Sequence, residues 1–397
     1  MTTLETVAPQ SRYDDVPFGV KVMIRSGRKS KCGLSTILAI VVAMGISMIA
    51  GCTPPIPPTI PAYGVNFHCT WANVTDADRR SIINQMSKAG VKWVRIDTGW
   101  SSAESTGPHL DQWYMTELDN CVNWSLQAGI HPLLIPWRTP GWANGGAGPY
   151  TPPTNAADYA NFVQLLATRY KGTGTAYEIW NEPDPSQSFF TPPGCNGNLP
   201  CYAAEYSKLL KAAYPAAKAG DPNALVALGG CSENNDAWIS QIYANGDRNF
   251  FDVLTTHPYQ QHANEPPNVV DSPSSEYHFT HIAYIHDTVM KSYGDLNKPI
   301  WFTEYGWSTH ANQPGYPNWA LGVDQQTQAS DLVQSIRLVQ TKFPYVTNMF
   351  WYEDKDEATT SSDANTIQKS NFGLLTVNDS PKPAYHAMSD CLHRISC

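Results

Sequence analysis

From Tyr63 onward, short strand-like runs alternate with longer helix-like runs eight times, and no other feature of the sequence restricts the fold as much. The strand-like runs are YGVNFH (63–68), KWVRID (92–97), HPLLIPW (131–137), AYEIWNE (176–182), ALVALGG (224–230), FDVLTTH (251–257), PIWFTE (299–304) and NMFWYE (348–353). Each is rich in β-branched or aromatic residues and ends in polar residues or glycine. The stretches between them are amphipathic, and several start near Asp, Ser or Thr and end with Gly, as helix caps require. Eight such units predict an α/β fold made of a single (β/α)8 domain, a TIM barrel, over residues 63–397. A doubly wound open sheet is the alternative, but no G-x-G-x-x-G follows an early strand. In a barrel the carboxyl ends of the strands share one face. The run endings therefore supply the candidate site: His68 and Trp71, Arg95 with Asp97 and Trp100, Trp137 and Trp142, Asn181 and Glu182, Cys231 and Ser232, His257 and Tyr259, Glu304 with Trp307, and Trp351.

The alternation does not begin at residue 1. Residues 33–51, GLSTILAIVVAMGISMIAG, carry no charge and follow Lys21, Arg25, Arg28, Lys29 and Lys31, the arrangement of an export signal or a membrane anchor. The run closes in IAGC, Ile49 to Cys52, which resembles the bacterial lipobox. That likeness implies lipidation of Cys52 and an exported, membrane-tethered protein, with an uncleaved anchor as the other reading. Residues 1–52 are thus a signal peptide or anchor, and residues 53–62 a proline-rich spacer. Beyond Cys52 stand 20 basic and 32 acidic residues, a net charge of −12, which argues against nucleic acid or anionic lipid as the main partner. Cys195–Cys201 (CNGNLPC) and Cys391–Cys397 (CLHRISC) are candidate disulfides of an oxidising compartment. Cys69, Cys121 and Cys231 cannot all pair, and the sequence leaves open which stays free. No cysteine pair has histidine at zinc-site spacing, and no metal or cofactor is expected.

The stretch YEIWNEPD, Tyr177 to Asp184, places Glu178, Asn181, Glu182 and Asp184 in what otherwise reads as a buried strand. A buried carboxylate is costly unless it is paired, hydrogen-bonded or protonated, so the crowding marks either a turn or chemistry. Glu182 closes the fourth run and Glu304 the seventh. Across a narrow barrel mouth, two such glutamates come within about 5–5.5 Å, where one carboxylate attacks an anomeric carbon and the other protonates the leaving oxygen. Unequal surroundings then drive their pKa values apart.

Trp180-Asn181-Glu182-Pro183 and Thr303-Glu304-Tyr305-Gly306-Trp307 resemble the ends of strands four and seven in clan A of the glycoside hydrolases. YEIWNEPD followed by WFTEYGW is similar to the cellulase-like families 5 and 39, and the resemblance runs from Tyr63 to the neighbourhood of His386. It implies a retaining glycoside hydrolase with Glu182 as general acid/base, Glu304 as nucleophile and Asn181 on the substrate 2-hydroxyl. It also implies that Arg95 supports the nucleophile and that THPY supplies His257 and Tyr259 beside it. Trp351 would lie beneath the sugar at the cleaved position.

Several residues keep a second reading. Arg95 could neutralise Glu178 as well as support Glu304. His68 is a packed core histidine or a sugar contact, and Asp97 divides the same way. Trp100, Trp142 and Trp307 are core or, at loop tips, flat plates for pyranose rings; one or two of the three are expected to bind sugar. Trp137 has no assigned role, and Asp184 is expected to fix the turn. EDKDEATTSSD, residues 353–363, lacks EF-hand spacing and reads as a solvated loop. The expectation is a monomeric, exported hydrolase of a β-linked, glucan- or xylan-like carbohydrate. A glycan-binding protein on a silent barrel and a cell-envelope transglycosylase using the same residues are the alternatives.

Overall fold

The computed structural model describes residues 60–270, 275–395 and 397. The expected signal or anchor, Cys52 and most of the proline-rich spacer lie outside them. Among the described residues no helix is long and apolar enough to cross a membrane.

Nine strand segments form one parallel sheet: β1 (Ala62–Asn66), β2 (Trp93–Gly99), β3 (His131–Trp137), β4 (Ala176–Glu178), β5 (Val226–Ala227), β6 (Cys231–Ser232), β7 (Leu254–His257), β8 (Ile300–Tyr305) and β9 (Val346–Trp351). Their order is β5-β4-β3-β2-β1-β9-β8-β7-β6. β5 and β6 are two halves of one run, interrupted at Gly229 and Gly230. A parallel bridge from Ala227 to Val253 joins β5 to the chain entering β7. The sheet therefore curls into the expected eight-stranded barrel, with helices between successive strands. Most of these helices begin on a side-chain cap, among them Thr75, Asp111, Asn155, Asn198, Asn235 and Asp324. The run after β7, expected as a regular helix, is instead a 3-10 turn (Phe279–His281), a short α turn (Ile282–Tyr284) and a π-helical segment (Ile285–Met290).

The barrel interior starts with an apolar layer. Leu133, Ala176, Ala227, Val253, Trp301 and Phe350 form one buried cluster with Trp93 against it, nearly one residue per strand. Gly64 on β1 leaves the space that the Phe350 ring occupies. The opposite face of each strand packs into a separate, larger core beneath the helices. Because side chains alternate along a strand, the interior continues two residues further on with Arg95, Glu178 and Thr303. This next layer is polar, and it leads to the mouth of the barrel.

Disulfides join Cys69 to Cys121, Cys195 to Cys201 and Cys391 to Cys397, leaving Cys231 as a buried free thiol among the described residues. The acidic run after β9 is not the solvated loop expected. Glu353, Asp354 and Asp356 are buried, and Asp356 is paired with the buried Lys382 at 3.0 Å. Only from Glu357 onward does the run reach the surface.

Candidate active site

Arg95 is the hub of the polar layer. Its Nε donates to Glu178 Oε2 (2.7 Å), and Nη1 donates to Asn66 Oδ1 (2.9 Å) and Glu304 Oε1 (2.5 Å). Nη2 donates to Asn181 Oδ1 (2.8 Å). Both partners open to Arg95 in the sequence are thus engaged at once. Glu178 Oε1 also accepts from the Gly230 amide (3.0 Å) and from Thr303 Oγ1 (2.9 Å). Burial alone would raise the Glu178 carboxyl, but the Arg95 charge and the neighbouring His257 outweigh it and hold the pKa at about 2. The break between β5 and β6 makes this possible. A Cβ on Gly230 would overlap His257 Nε2 and come 2.9 Å from Thr303 Oγ1.

Glu182 and Glu304 reach the mouth through local departures from strand geometry. After Glu178 the chain leaves the extended region, with Trp180 at φ 71° and Glu182 at φ 41°. Left-handed backbone costs a bulky residue about 1–3 kcal/mol, so the surrounding structure must hold it there. The Trp180 indole is turned out among the helices, against Phe190 and Tyr159, with Nε1 donating to the Phe189 carbonyl at 2.8 Å. On β8, the register against β9 slips between Phe302 and Tyr305. Such a bulge breaks the alternation. Thr303 and Glu304 consequently both address the interior, while Tyr305 turns outward to bond Tyr63 at 2.5 Å.

His257 stands between the two glutamates. Its Nδ1 lies 2.8 Å from Glu182 Oε1 and 3.7 Å from Glu304 Oε2, and its Nε2 lies 3.1 Å from Thr303 Oγ1. Tyr259 donates its hydroxyl to Glu304 Oε2 at 3.2 Å. An oxygen of Glu182, an oxygen of Glu304 and a ring nitrogen of His257 all lie within 4.8 Å of one another. Burial is the main force raising the Glu182 carboxyl, helped by the charges of Glu304 and Asp184 and opposed by His257. For His257, burial pulls down, but the Glu304 charge and its bonds to Glu178 and Glu182 carry it up to about 10. One glutamate is therefore surrounded by donors, and the other sits where burial favours the neutral acid.

On the β1 side, His68 Nδ1 meets Asp97 Oδ2 at 3.0 Å and Nε2 meets Glu353 Oε2 at 2.7 Å. With an acid on each nitrogen, His68 is raised well above its ordinary value although burial opposes this. Burial also lifts Glu353 to about 7. The His68 ring stacks on Trp71 with centroids 4.0 Å apart.

The expected aromatic floor needs correcting. Trp351 has 0% of its surface exposed and donates Nε1 to the Phe372 carbonyl at 3.0 Å, so it offers no face to a sugar. Its neighbour Phe350 belongs to the interior layer, and alternation therefore sends Trp351 out toward Tyr305 and Trp307. By the same alternation Tyr352 returns to the mouth. It is partly exposed, edge-on to His68 (5.9 Å) and Phe372 (5.5 Å), with burial and the charges of Glu353 and Glu304 raising its hydroxyl. Trp307 is likewise corrected: it is 2% exposed and its Nε1 donates to the Glu265 carbonyl at 2.7 Å. Trp100 is core, and Trp142 is half-buried with Nε1 on the Glu104 carbonyl. Asp184 fixes the turn as expected, accepting from the amides of Ser232 (2.9 Å) and Ser186 (3.3 Å). Sequence reading missed Tyr352, Thr303, Asn66 and Glu353. Counting alternation from Phe350 was the signal that could have found Tyr352.

Glu182, His257 and Glu304 are also the described residues nearest to a metal-ligand set. They do not fit one. His257 is committed to Glu182 and Thr303, and the Arg95 guanidinium already holds Glu304, so an added cation would meet fixed positive charge.

Comparison with known proteins agrees with this geometry. The family model of the cellulases, glycosyl hydrolase family 5, matches residues 57–354. A beta-xylosidase of Caldicellulosiruptor saccharolyticus is 23% identical over 291 residues, 68% of this chain and 54% of its own length. A probable glucan 1,3-beta-glucosidase A of Aspergillus clavatus is 28% identical over 193 residues, 46% of this chain and 42% of its own. The chain thus spans about half the length of these curated relatives. Among solved structures, a family 39 glycoside hydrolase from the gut symbiont Bacteroides cellulosilyticus WH2 superposes with a TM-score of 0.61 at 22% identity, over 83% of this chain and 62% of its own. GH5_18 from Streptomyces cattleya gives a TM-score of 0.64 at 16% identity, over 85% and 81%. At such identities these two structures speak for the fold.

Proposed function

This chain belongs to glycosyl hydrolase family 5, the cellulase family, and we propose that it cleaves a β-linked oligo- or polysaccharide with retention of configuration. Glu304 is the nucleophile, and Glu182 is first the acid and then the base. The spacing of the two carboxyls carries this reading. An oxygen of each lies within 4.8 Å of the other, which suits the close retaining pair, at about 5–5.5 Å, better than the inverting one, which keeps its carboxyls about 6.5–9.5 Å apart to admit a water. In the first step a Glu304 oxygen bonds to the anomeric carbon as the glycosidic C–O bond breaks, and Glu182 gives its proton to the departing oxygen. In the second, Glu182 takes a proton from water, the water oxygen bonds to the anomeric carbon, and the bond to Glu304 breaks.

The neighbours divide the remaining work. Arg95 and Tyr259 hold one Glu304 oxygen each, which fixes the carboxylate for attack. With its Oδ1 occupied by Arg95, Asn181 has its amide donors left for the sugar 2-hydroxyl. Tyr352, in place of Trp351, is the aromatic floor at the cleaved position. The names of the relatives, a xylosidase and a glucan glucosidase, favour a xylan- or glucan-like substrate. Export and tethering through Cys52, or through an uncleaved anchor, belong to the same reading. Three disulfides suit an oxidising compartment.

The test is intact-protein mass spectrometry after incubation with a panel of 2-deoxy-2-fluoro β-glycosides. A stable adduct on the parent, absent from Glu304→Gln, supports the mechanism. A product released with inverted anomeric configuration in NMR would refute it.

A further inference from the structure

We propose that Thr303 and Glu178 are positioning residues for proton transfer: together they hold a hydrogen on His257 Nε2, so that Nδ1 carries one as well and donates it to Glu182 Oε1. Glu182 Oε2 is then the oxygen whose proton goes to the departing sugar. The inference rests on the reading of Glu182 as acid and base, and deepens it by assigning the atoms that carry the protons.

Counting donors and acceptors fixes the first hydrogen. Glu178 is buried and ionised, so its oxygens only accept. Oε2 takes Arg95 Nε, while Oε1 takes the Gly230 amide and the Thr303 hydroxyl, the latter at 2.9 Å. A hydroxyl has one hydrogen, and that of Thr303 goes to Glu178. Its oxygen therefore meets His257 Nε2, 3.1 Å away, as an acceptor, and Nε2 must bear a hydrogen. The ring is buried, and the close approach of the Gly230 backbone holds it with this nitrogen inward.

The second hydrogen follows from charge. Nδ1 lies 2.8 Å from Glu182 Oε1 and 3.7 Å from Glu304 Oε2, and Nε2 lies 3.8 Å from Glu178 Oε1. Glu233, whose backbone bridges to His257, adds a fourth carboxyl, which burial and then the charges of Glu182 and Asp184 raise to about 8. Tyr259 stands on the ring's own run, and Arg95, the cation of this layer, is engaged by Glu178 and Glu304. Among so many carboxyls the imidazolium is the favoured form, in keeping with its pKa of about 10.

This arrangement serves the proton transfer directly. As the Glu182 O–H bond breaks and the leaving group gains the hydrogen, the new carboxylate charge meets a donor already aimed at Oε1. No proton leaves His257, and the same contacts hold when Glu182 takes a proton from water in the second step. A neutral ring would do the reverse: a bare Nδ1 would accept the Glu182 proton and keep it from the glycosidic oxygen.

The experiment compares the parent with Thr303→Val, which lacks the hydroxyl, and Thr303→Ser, which keeps it. Proton–nitrogen NMR of protein labelled at histidine reads the ring that responds to both changes. In the parent at neutral pH that ring should carry hydrogens on both nitrogens, and in Thr303→Val it should lose its charge at lower pH. Thr303→Val should lower kcat/KM on β-linked gluco- and xylo-oligosaccharides about tenfold, while dinitrophenyl β-glycosides, whose leaving group needs no acid, stay within about threefold. The alkaline limb on oligosaccharides should meanwhile move up by about one pH unit, because Glu182 has lost a cation beside it. Thr303→Ser should restore all three. Equal losses on both substrate types with an unmoved limb would overturn the proposal. The parent spectrum decides independently of whether Thr303→Val folds: a ring with either nitrogen bare at neutral pH overturns it. If the parent hydrolyses nothing, the glycosidase reading fails and that spectrum alone decides where the hydrogens sit.

Discussion

The polar layer around Arg95 and the rim around Trp113, on the first turn of the helix Gln112–Gln127, differ in how far each side chain depends on its neighbours. Arg95 is buried and reaches four acceptors on three separate segments, so changing any one leaves the others with uncompensated charge or unmet hydrogen bonds. Trp113 is exposed and outside its helix's packing face. The polar layer is therefore a coupled network that also stabilises the fold, whereas the rim around Trp113 is modular.

That contrast can be broken by experiment. Glu304→Gln should lower kcat by about 10⁴-fold or more, since a whole covalent step is lost, while near-ultraviolet circular dichroism stays native. Glu182→Gln should cost about 10²–10⁴-fold on substrates with poor leaving groups. Because burial raises the Glu182 carboxyl, the parent's activity should persist above the ordinary carboxylate range and fall as pH rises through the raised pKa. The Gln variant should lack that alkaline limb in its kcat/KM profile.

Arg95→Met should destabilise the fold by about 3–5 kcal/mol in chemical denaturation, because Glu178 is left buried without its main partner. In the double variant with Glu178→Gln, the loss should be smaller than the sum of the single losses. Glu178, held at about 2 against about 4.3 in an unfolded chain, adds stability above the unfolded value. That contribution should drain away as pH falls through the folded one, so Glu178→Gln should flatten the acid side of the stability curve. Trp113→Ala is the smallest, shifting stability by less than about 0.5 kcal/mol. A large loss of stability there would dissolve the distinction between network and rim.

The sequence was most legible where local chemistry and strand endings coincide. Eight alternating runs predicted the barrel, and the ends of the second, fourth, sixth and seventh supplied Arg95, Glu182, His257 and Glu304, which the structure brings together. It was less legible where a single backbone angle decides which way a side chain faces. Trp351 and Trp307 were expected at the sugar because an exposed plate and a buried one look alike in sequence. The bulge at Phe302–Tyr305 and the left-handed residues at Trp180 and Glu182 are tertiary solutions with no local signature. The Cys69–Cys121 pair depends on the loop after β1 meeting a helix 52 residues on, and Glu353 became a buried partner of His68 only once β9 closed beside β1.

That last closure also sets a schedule. β1 pairs with β9, and Asn66 donates Nδ2 to the Trp351 carbonyl across 285 residues of chain. Tyr385 then ties the final helix to the first through the Gln85 carbonyl, 300 residues away. Contacts of such separation form late, because the intervening loop must first be gathered in. While β9 is still being synthesised, Asn66 lacks its partner on that strand and the sheet keeps two raw edges. A growing chain thus carries Glu182 and Glu304 before the candidate site around them can close, and the site is complete only once β9 has joined β1.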